Sequence, residues 1–535
     1  MKLYHNLTKL NLSTTGKEGD DEIMNERFLK AQSILLFVMI ITMPITMLPE
    51  RYILPKIMKN VPSFILMVNL LVMFFSLRTT SRFSKVDNRI KKILFLIILW
   101  PLVCTIHGFL TFPYWNNEID QAISDSSIIN FLAKHFSFIL NSSFLHLKLF
   151  LSYTWNLFKD CLFPLIGIPA IIIYLYSYKK ERVIDFVSDA SFALALLFSL
   201  YSFIEIIWLW TGFDICKAIL IFINTHLYDP ATTHGWWPKL IYTNQLRSFA
   251  FEPAFFGIYA LFLIPILWYR IWGKRNVKEI PLLFFFMIML YMTNARTANV
   301  FYLCEIVLLI IASYFSKNNR NIKATFKIVA LSLVSFSIVI ICNSVLPLYF
   351  QKNIVVEDVN FEKLTTSYVD NNITSVGKLN KRSNTARYGN TIAMFKIGLH
   401  HPVFGVGTKL FSPYMVEEIP SFAINDKEIN LWKNMMEDKT FIKSSFPILN
   451  YYAAIYSQYG TLGLLLFLLP SIYLLKMVIF NRAYWLGDFR NICITIAFLG
   501  QLACLMSNNL FYVYPISLGL MFCCHKQFLA ENSNS

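Results

Sequence analysis

The stretch FAFEPAFFGIYALFLIPILWYR, residues 249–270, decides the fold class of this chain. Between Glu252 and Arg270 it contains no charged residue. An apolar run of about 20 residues crosses the hydrocarbon core of a bilayer as a helix, because lipid offers the backbone no hydrogen-bond partners. The stretch therefore predicts a membrane helix with charged residues at its two ends.

The composition of the whole chain agrees with this local pattern. Of the 535 residues, 56% are hydrophobic and only 15% are charged, whereas soluble domains have about 25% charged residues. This excludes a water-soluble multidomain enzyme, a disordered protein and a disulfide scaffold, and leaves a polytopic membrane protein. The nine cysteines are scattered and show no spacing that could hold a metal.

Apolar runs recur along the chain and predict an all-α polytopic membrane protein with about 12 transmembrane helices. Several runs are short, so a total of eleven stays open. The runs are 33–48, 62–77, 93–112, 161–178, 190–211, 249–269, 280–293, 297–316, 328–348, 451–475, 492–506 and 510–524. The polar stretch 349–450 is too long for a simple connector and predicts one large, partly helical external loop.

The distribution of positive charge predicts the orientation. With the N-terminus inside, five internal loops hold 20 Lys and Arg, against 10 in the five shorter external loops. By the positive-inside rule both termini are then cytoplasmic. The net charge of +16 thus reflects topology, and no nucleic acid partner is expected. The predicted plan is listed by residue range: a cytoplasmic segment 1–30, helices 1–9 in 31–348, the external loop 349–450, helices 10–12 in 451–525 and a cytoplasmic tail 526–535.

The first candidate site residues are Arg247 and Glu252, at the outer end of the sixth run. An acidic residue before Pro253 is also an ordinary helix start. Opposite charges at a bilayer boundary are costly, however, unless they pair or meet a ligand. The second candidate is Arg296, in the short break Thr293–Thr297. It either snorkels to lipid headgroups or faces inward, where its guanidinium can bind phosphate bidentately.

The third candidate is an amphipathic helix in the long loop, beginning near Asn384 and ending before Pro402. Arg387 and Gly398 are about three turns apart on nearly the same face, where glycine removes bulk beside the arginine face. Gly405 and Gly407 fit a turn. His400 and His401 have no metal-like partners in the sequence.

The fourth candidate is Asn450-Tyr451, where the chain re-enters the membrane; Asn450 also fits a helix cap. In the predicted topology Arg247, Arg296, Arg387 and Asn450 all lie on the external face. Arginines gathered beneath a folded loop would form an anion site. The anion must belong to a molecule present at the outer membrane surface, and a lipid-linked pyrophosphate fits best.

At these residues the chain resembles the O-antigen polymerase and ligase superfamily of bacterial envelope glycosyltransferases. The resemblance covers about residues 240–475. It rests on the Arg-then-Glu-Pro segment, the Asn-Ala-Arg turn, an Arg387 to Gly398 spacing similar to the polymerase RX10G motif, a His-Pro-x-x-Gly-x-Gly segment and the Asn-Tyr re-entry.

The resemblance implies an inner-membrane enzyme that joins undecaprenyl-pyrophosphate-linked oligosaccharides at the periplasmic face without metal, cofactor or nucleotide sugar. Membrane lipids and a chain-length regulator are further candidate partners. Its implied catalytic residues are Arg247, Glu252, Arg296 and Arg387, and its implied substrate-binding residues are Gly398, His401, Asn450 and Tyr451. Glu252 is either a base or a residue that orients Arg247.

Three functions compete. Ligases of this superfamily typically carry His directly before the Asn that follows the long loop, and this chain has Leu449 there. That departure favours the polymerase over a ligase that transfers chains to lipid A core. A flippase or other transporter should show charges deep in several helices and little mass outside the membrane. The chain instead has few deep charges, notably Glu205 and Glu305, and a large external loop.

Overall fold

The computed structural model describes residues 17–49, 52, 56–79, 88–136, 141–180, 182–228, 239–350, 361–378 and 383–533, and these contain helices but no strand. The α-helices are α1 Lys17–Thr42, α2 Lys56–Lys59, α3 Val61–Thr79, α4 Asn88–Thr111, α5 Asn117–Ser124, α6 Ser127–Phe136, α7 Ser142–Leu157, α8 Ile168–Lys179, α9 Arg182–Thr211, α10 Asp214–Leu227, α11 Pro253–Trp268, α12 Ile280–Met292, α13 Arg296–Ser316, α14 Asn319–Phe350, α15 Phe361–Asn372, α16 Asn384–His400, α17 Phe411–Glu418, α18 Lys427–Lys443, α19 Tyr451–Phe480, α20 Arg482–Gly487, α21 Phe489–Cys504 and α22 Val513–Ser533. Shorter helical segments are the π-helices Phe158–Gly167 and Tyr269–Gly273 and the 3₁₀ turns Val277–Glu279, Thr374–Gly377 and Ser421–Ala423.

Seven helical segments in the described part of the chain are long and apolar enough to cross a membrane, which confirms the all-α membrane architecture. They are Lys92–Thr111, Ser142–Lys179, Arg182–Thr211, Pro253–Gly273, Arg296–Ser316, Asn319–Asn343 and Tyr451–Phe480. Two shorter apolar helices are Val61–Leu77 and Phe489–Cys504. The total of twelve spans stays a prediction, as do the orientation and the domain boundaries.

Helix α11, formed by the stretch that decides the fold class, lies at the centre of the bundle. Every residue from Phe256 to Trp268 is buried. The helix packs against α9, α12, α13 and α21. A helix that is apolar on all sides is stable only where other helices or lipid cover it completely. This central position fixes the first residue of α11, and with it Glu252, relative to all its neighbours.

The described part of the long loop forms a helical layer with its own core. Helix α16 packs against α17, α18 and the first half of α19, and the buried side chains of this layer include Met394, Phe411 and Phe446. The apolar row Tyr388, Ile392, Phe395 and Leu399 on α16 is exposed. The opposite face of α16 is therefore the one that fixes the helix on the bundle.

Candidate functional site

A cavity of about 960 Å³ opens at the end of the bundle that carries the start of α11. Its wall is formed by residues 44–47 and 60, the connections 293–295 and 505–512, the starts of α11, α13, α16 and α18, and the segment before α19. Ligand sites of small molecules typically have volumes of about 300–1,000 Å³. This cavity is therefore at the upper end of the range and can hold a large ligand.

Arg296 lies in the cavity wall as the first residue of α13. The preceding turn is fixed by polar contacts: the side chain of Asn294, whose φ is +49°, donates to the carbonyl of Asn244 at 2.9 Å. The hydroxyl of Thr293 accepts from the N–H of Ala295 at 3.1 Å. The break between α12 and α13 thus holds the first turn of α13, and Arg296 with it, at the cavity.

Arg387 reaches the same cavity from the first turn of α16. The start of that helix is anchored by Asn384, whose side-chain amide donates to the carbonyls of Ser375 and Lys378, both at 2.8 Å. The Nη1 of Arg387 donates to the carbonyl of Ser507 at 3.4 Å, which is long for a hydrogen bond. Arg387 as a residue is half-buried and lines the cavity, where a ligand can reach it.

Two carboxylates lie in the wall with these arginines. Glu252 is the residue before α11, but its side chain makes no capping hydrogen bond and instead lines the cavity. Burial raises the pKa of Glu252 to about 7; the Arg387 guanidinium opposes this and the Glu428 carboxylate adds to it. At neutral pH a carboxyl with this pKa can both accept and release a proton.

Glu428 is the cavity residue that sequence reasoning missed. It lies in the first turn of α18, half-buried in the wall. Burial raises its pKa, and the positive charges of Arg387 and Arg296 lower it. An acidic residue in the first turn is an ordinary helix feature. Only the packing of α18 over the membrane helices gives Glu428 a place beside two arginines.

The predicted placement of Arg247 is corrected by the structure. Its side chain is only 1% exposed and is absent from the cavity wall. The guanidinium donates to the carbonyl of Lys239 at 2.8 Å and lies 4.9 Å from the centre of the Tyr228 ring. The sequence indicated correctly that this charge needs a partner, but the protein itself supplies one.

The backbone around Arg247 is held by a buried carboxylate from α9. The N–H groups of Arg247 and Ser248 donate to the two oxygens of Glu205, at 3.1 and 2.7 Å. Ser248 has φ +56°, a conformation that needs such support. Glu205 therefore fixes the segment that leads to Glu252.

The four residues expected to bind substrate lie outside the cavity wall. A Cβ on Gly398 would lie 2.4 Å from the Tyr456 ring, so this glycine permits the packing of α16 on α19. The ring of His401 lies edge-on to Tyr414 at 5.4 Å. Asn450 accepts from the N–H of Ala453 at 3.0 Å and so caps α19.

Tyr451 likewise points into the bundle, where its hydroxyl donates to Cys161 Sγ at 3.2 Å. The neighbouring Leu449 does line the cavity. The structure thus gathers Glu252, Arg296 and Arg387 and adds Glu428. It assigns packing or capping contacts to Arg247, Gly398, His401, Asn450 and Tyr451. Within the described ranges, no three His, Cys, Asp or Glu side chains are grouped so that they could hold a metal ion.

Comparison with known proteins supports the resemblance on independent grounds. A family model described as O-Antigen ligase matches residues 281–468, which include Arg296, Arg387 and Glu428. No curated protein and no solved structure matches the chain. The match confirms the resemblance to the O-antigen polymerase and ligase superfamily, and the apolar helices of the described residues indicate a multi-pass membrane protein.

Proposed function

We propose that this protein is a membrane glycosyltransferase that polymerises undecaprenyl-pyrophosphate-linked oligosaccharide repeat units at the periplasmic face of the inner membrane. The observation that carries the proposal is the cavity shared by Arg296 and Arg387, which are distant in sequence, with Glu252 and Glu428 beside them. Such a site has cations for a leaving diphosphate and carboxylates for proton transfer.

The arginines act on the leaving group. In the proposed reaction, the acceptor hydroxyl attacks the anomeric carbon of the donor glycan, and the bond from this carbon to the phosphate oxygen breaks. The electron pair leaves with the lipid pyrophosphate, where negative charge grows in the transition state. Arg296 and Arg387 stabilise that charge, because guanidinium groups can donate two parallel hydrogen bonds to phosphate oxygens.

The carboxylates act on the nucleophile. The acceptor hydroxyl loses its proton as the new glycosidic bond forms, and Glu252 accepts it. Glu252 suits this role because burial raises its pKa to about 7, and a general base is most effective when its pKa is near the pH of the reaction. Glu428, whose pKa burial also raises, is the second candidate for the same proton. No metal is needed for either step.

Ligation of a finished chain to lipid A core is the second candidate function, favoured by the description of the matching family as O-Antigen ligase. Against it stands Leu449, which lines the cavity at the position where ligases typically carry His. The two functions differ in acceptor. We expect products on the lipid-linked repeat unit alone, and none on added lipid A core.

The purified full chain, reconstituted in nanodiscs with lipid-linked repeat units and EDTA, tests the proposal. We expect a ladder of products. Arg387→Ala should slow its formation by about a hundredfold or more, because one donor to the developing charge is lost. Arg387→Lys should restore part of the rate, since it keeps the charge and loses the planar fork.

Lys396→Ala is the matched control, because Lys396 lies on the same helix, is partly exposed and makes only a 4.0 Å ion pair with Glu418. Its rate should equal that of the wild type. A wild-type protein that forms no ladder overturns the polymerase assignment. A ladder that persists in Arg387→Ala removes Arg387 from the mechanism.

A further inference from the structure

The cavity wall has a second polar group besides the arginines and the carboxylates Glu252 and Glu428. It consists of Asp160, Asn60 and Tyr512. The Tyr512 hydroxyl donates to Asn60 Oδ1 at 3.1 Å and shares a 2.5 Å hydrogen bond with the Ser63 hydroxyl. The oxygen of Asn60 also accepts from the N–H of Ser63 at 3.1 Å. The part of Asn60 left for a ligand is therefore its amide NH₂ group, a donor.

Asp160 belongs to the π-helix Phe158–Gly167, which joins α7 to α8. A π-helix is a rare and less stable geometry that often occurs at functional sites. Both Asp160 and Pro164 of this segment face the cavity. Lys159 and Lys409 pair with the Asp160 carboxylate at 3.0 and 3.6 Å but are absent from the cavity wall. The group presented to a ligand is thus a carboxylate that pairs with lysines outside the wall.

Aromatic residues of the wall connect this polar group with Glu252. Phe255 lies one turn after Glu252, and its ring is 4.9 Å from that of Phe511. Phe511 directly precedes Tyr512, and Phe255, Phe511 and Tyr512 all line the cavity. One ligand space therefore contains both the arginines and the group formed by Asp160, Asn60 and Tyr512.

We propose that Asp160, Asn60 and Tyr512 bind the acceptor sugar, with the Asp160 carboxylate accepting hydrogen bonds from its hydroxyls. This inference rests on the proposed function. Sugar hydroxyls are neutral donors, and a carboxylate that pairs with lysines can still accept from them because each of its oxygens accepts more than one hydrogen bond. Asn60 and Tyr512 add an amide donor and a hydroxyl. The donor glycan is then held by its diphosphate at the arginines and meets the acceptor in the same cavity.

An oligosaccharide that can act only as the glycosyl acceptor, and not as the donor, tests the site. Mild acid releases the repeat-unit oligosaccharide from its lipid, so that it keeps its hydroxyls and loses the pyrophosphate. Labelled at its reducing end and added to the full chain with the lipid-linked donor, it reports acceptor use through longer labelled products, or through inhibition of the ladder.

For Asp160→Asn we expect the KM or inhibition constant of the labelled oligosaccharide to rise at least about tenfold, because the amide loses the negative charge and replaces one of the two acceptor oxygens with an NH₂ donor. The KM of the lipid-linked donor should change less than about threefold. Lys409→Met is the matched control: it removes the ion pair but no cavity group, and should leave both constants unchanged. Asn60→Ala should likewise raise the oligosaccharide constant and leave the donor KM nearly unchanged. It replaces Asp160→Asn in the test if Asp160→Asn does not fold.

The outcomes separate the two proposals. A wild-type protein that forms no ladder overturns the polymerase assignment and the acceptor site with it. A ladder that the labelled oligosaccharide neither joins nor inhibits overturns the acceptor site alone. The same holds if Asp160→Asn and Asn60→Ala leave the oligosaccharide constant unchanged, or if Lys409→Met alters it as strongly as Asp160→Asn does.

Discussion

Arg247 and Arg387 lie at the same end of the helix bundle, yet only Arg387 reaches the cavity. Arg247 is 1% exposed and donates to the carbonyl of Lys239 at 2.8 Å, with the Tyr228 ring 4.9 Å away. Arg387 is half-buried in the cavity wall and makes a 3.4 Å contact with the carbonyl of Ser507. One arginine has its partners inside the protein, and the other faces the space that a ligand would fill.

The difference teaches what a charge beside a membrane helix means. Such a charge must be compensated, because desolvation without a partner is costly. The positive charge of Arg247 is compensated by groups inside the protein. The Glu205 carboxylate binds the backbone of its segment, which leads to Glu252. Arg387 instead interacts with the Glu252 and Glu428 carboxylates of the wall and makes a long hydrogen bond to Ser507, at a position that an anionic ligand in the cavity can reach. The same substitution made at each of the two residues tests this comparison.

The largest stability effect is expected for Arg247→Met. Removing one partner of a buried charge cluster costs about 3 kcal/mol or more, since the Lys239 carbonyl and the Glu205 carboxylate lose nearby positive charge. The melting temperature of the purified protein should fall clearly. The folded fraction should still bind undecaprenyl pyrophosphate, measured by equilibrium binding, with nearly unchanged affinity.

Arg387→Met is the matched variant and should give the opposite pattern, with a small change in melting temperature and a large loss of affinity. The comparison fails if Arg247→Met weakens lipid pyrophosphate binding as much as Arg387→Met while its melting temperature stays at the wild-type value. That result would place Arg247 in contact with the ligand.

Much of the fold could be predicted from sequence, because the signal is local. The apolar stretch that forms α11 predicts its own burial, and the breaks between apolar runs place Arg296 at a helix end. The shared cavity of Arg296 and Arg387 follows from the motifs and the topology together. Each of these depends on residues that are close in sequence or on the alternation of membrane helices.

The rest depends on tertiary packing and could not be read from the sequence. Glu428 looks like any acidic residue in a first turn until α18 packs beside the arginines. Gly398 and Asn450 carry patterns that suit substrate binding and also suit helix packing and capping. A sequence motif does not say which neighbour a residue meets, so glycine beside Tyr456 and glycine beside a sugar look alike.

The second prediction concerns Glu252, the proposed proton acceptor, which follows the segment held by Glu205 and lines the cavity. Glu252 has a pKa of about 7 because it is buried, and only its deprotonated form can act as a base. The wild-type rate should therefore rise as the pH increases through about 7 and level off above it. Glu252→Gln should lose this rise and be about a hundredfold slower at pH 8, in polymerisation assays between pH 5.5 and 8.5.

Glu428→Gln is the control for this assignment. If Glu252 is the base, Glu428→Gln should keep the rise with pH and shift its midpoint downward, because a nearby negative charge is removed. A Glu252→Gln variant that retains the rise would transfer the role to Glu428. Glu252 would then be part of the cavity wall without taking part in the proton transfer.

The smallest effect is expected at Gly398, three turns along α16 from Arg387. Alanine there would place its Cβ 2.4 Å from the Tyr456 ring, so α16 and α19 must separate slightly, at a cost of about 1–2 kcal/mol. The melting temperature of Gly398→Ala should fall modestly, while Leu399→Ala, at a side chain that is 64% exposed, should leave it unchanged.

Kinetics then decide what this glycine does. If the start of α16 contacts the ligand and its end only packs on α19, Gly398→Ala lowers the rate only through a displacement of Arg387. The KM of the lipid-linked donor should then rise slightly, and a second Arg387→Ala substitution should leave almost nothing further for Gly398 to affect. A Gly398→Ala variant with the wild-type melting temperature and a strongly raised KM would mean that the ligand extends along the whole helix, as the spacing of the sequence motif first suggested.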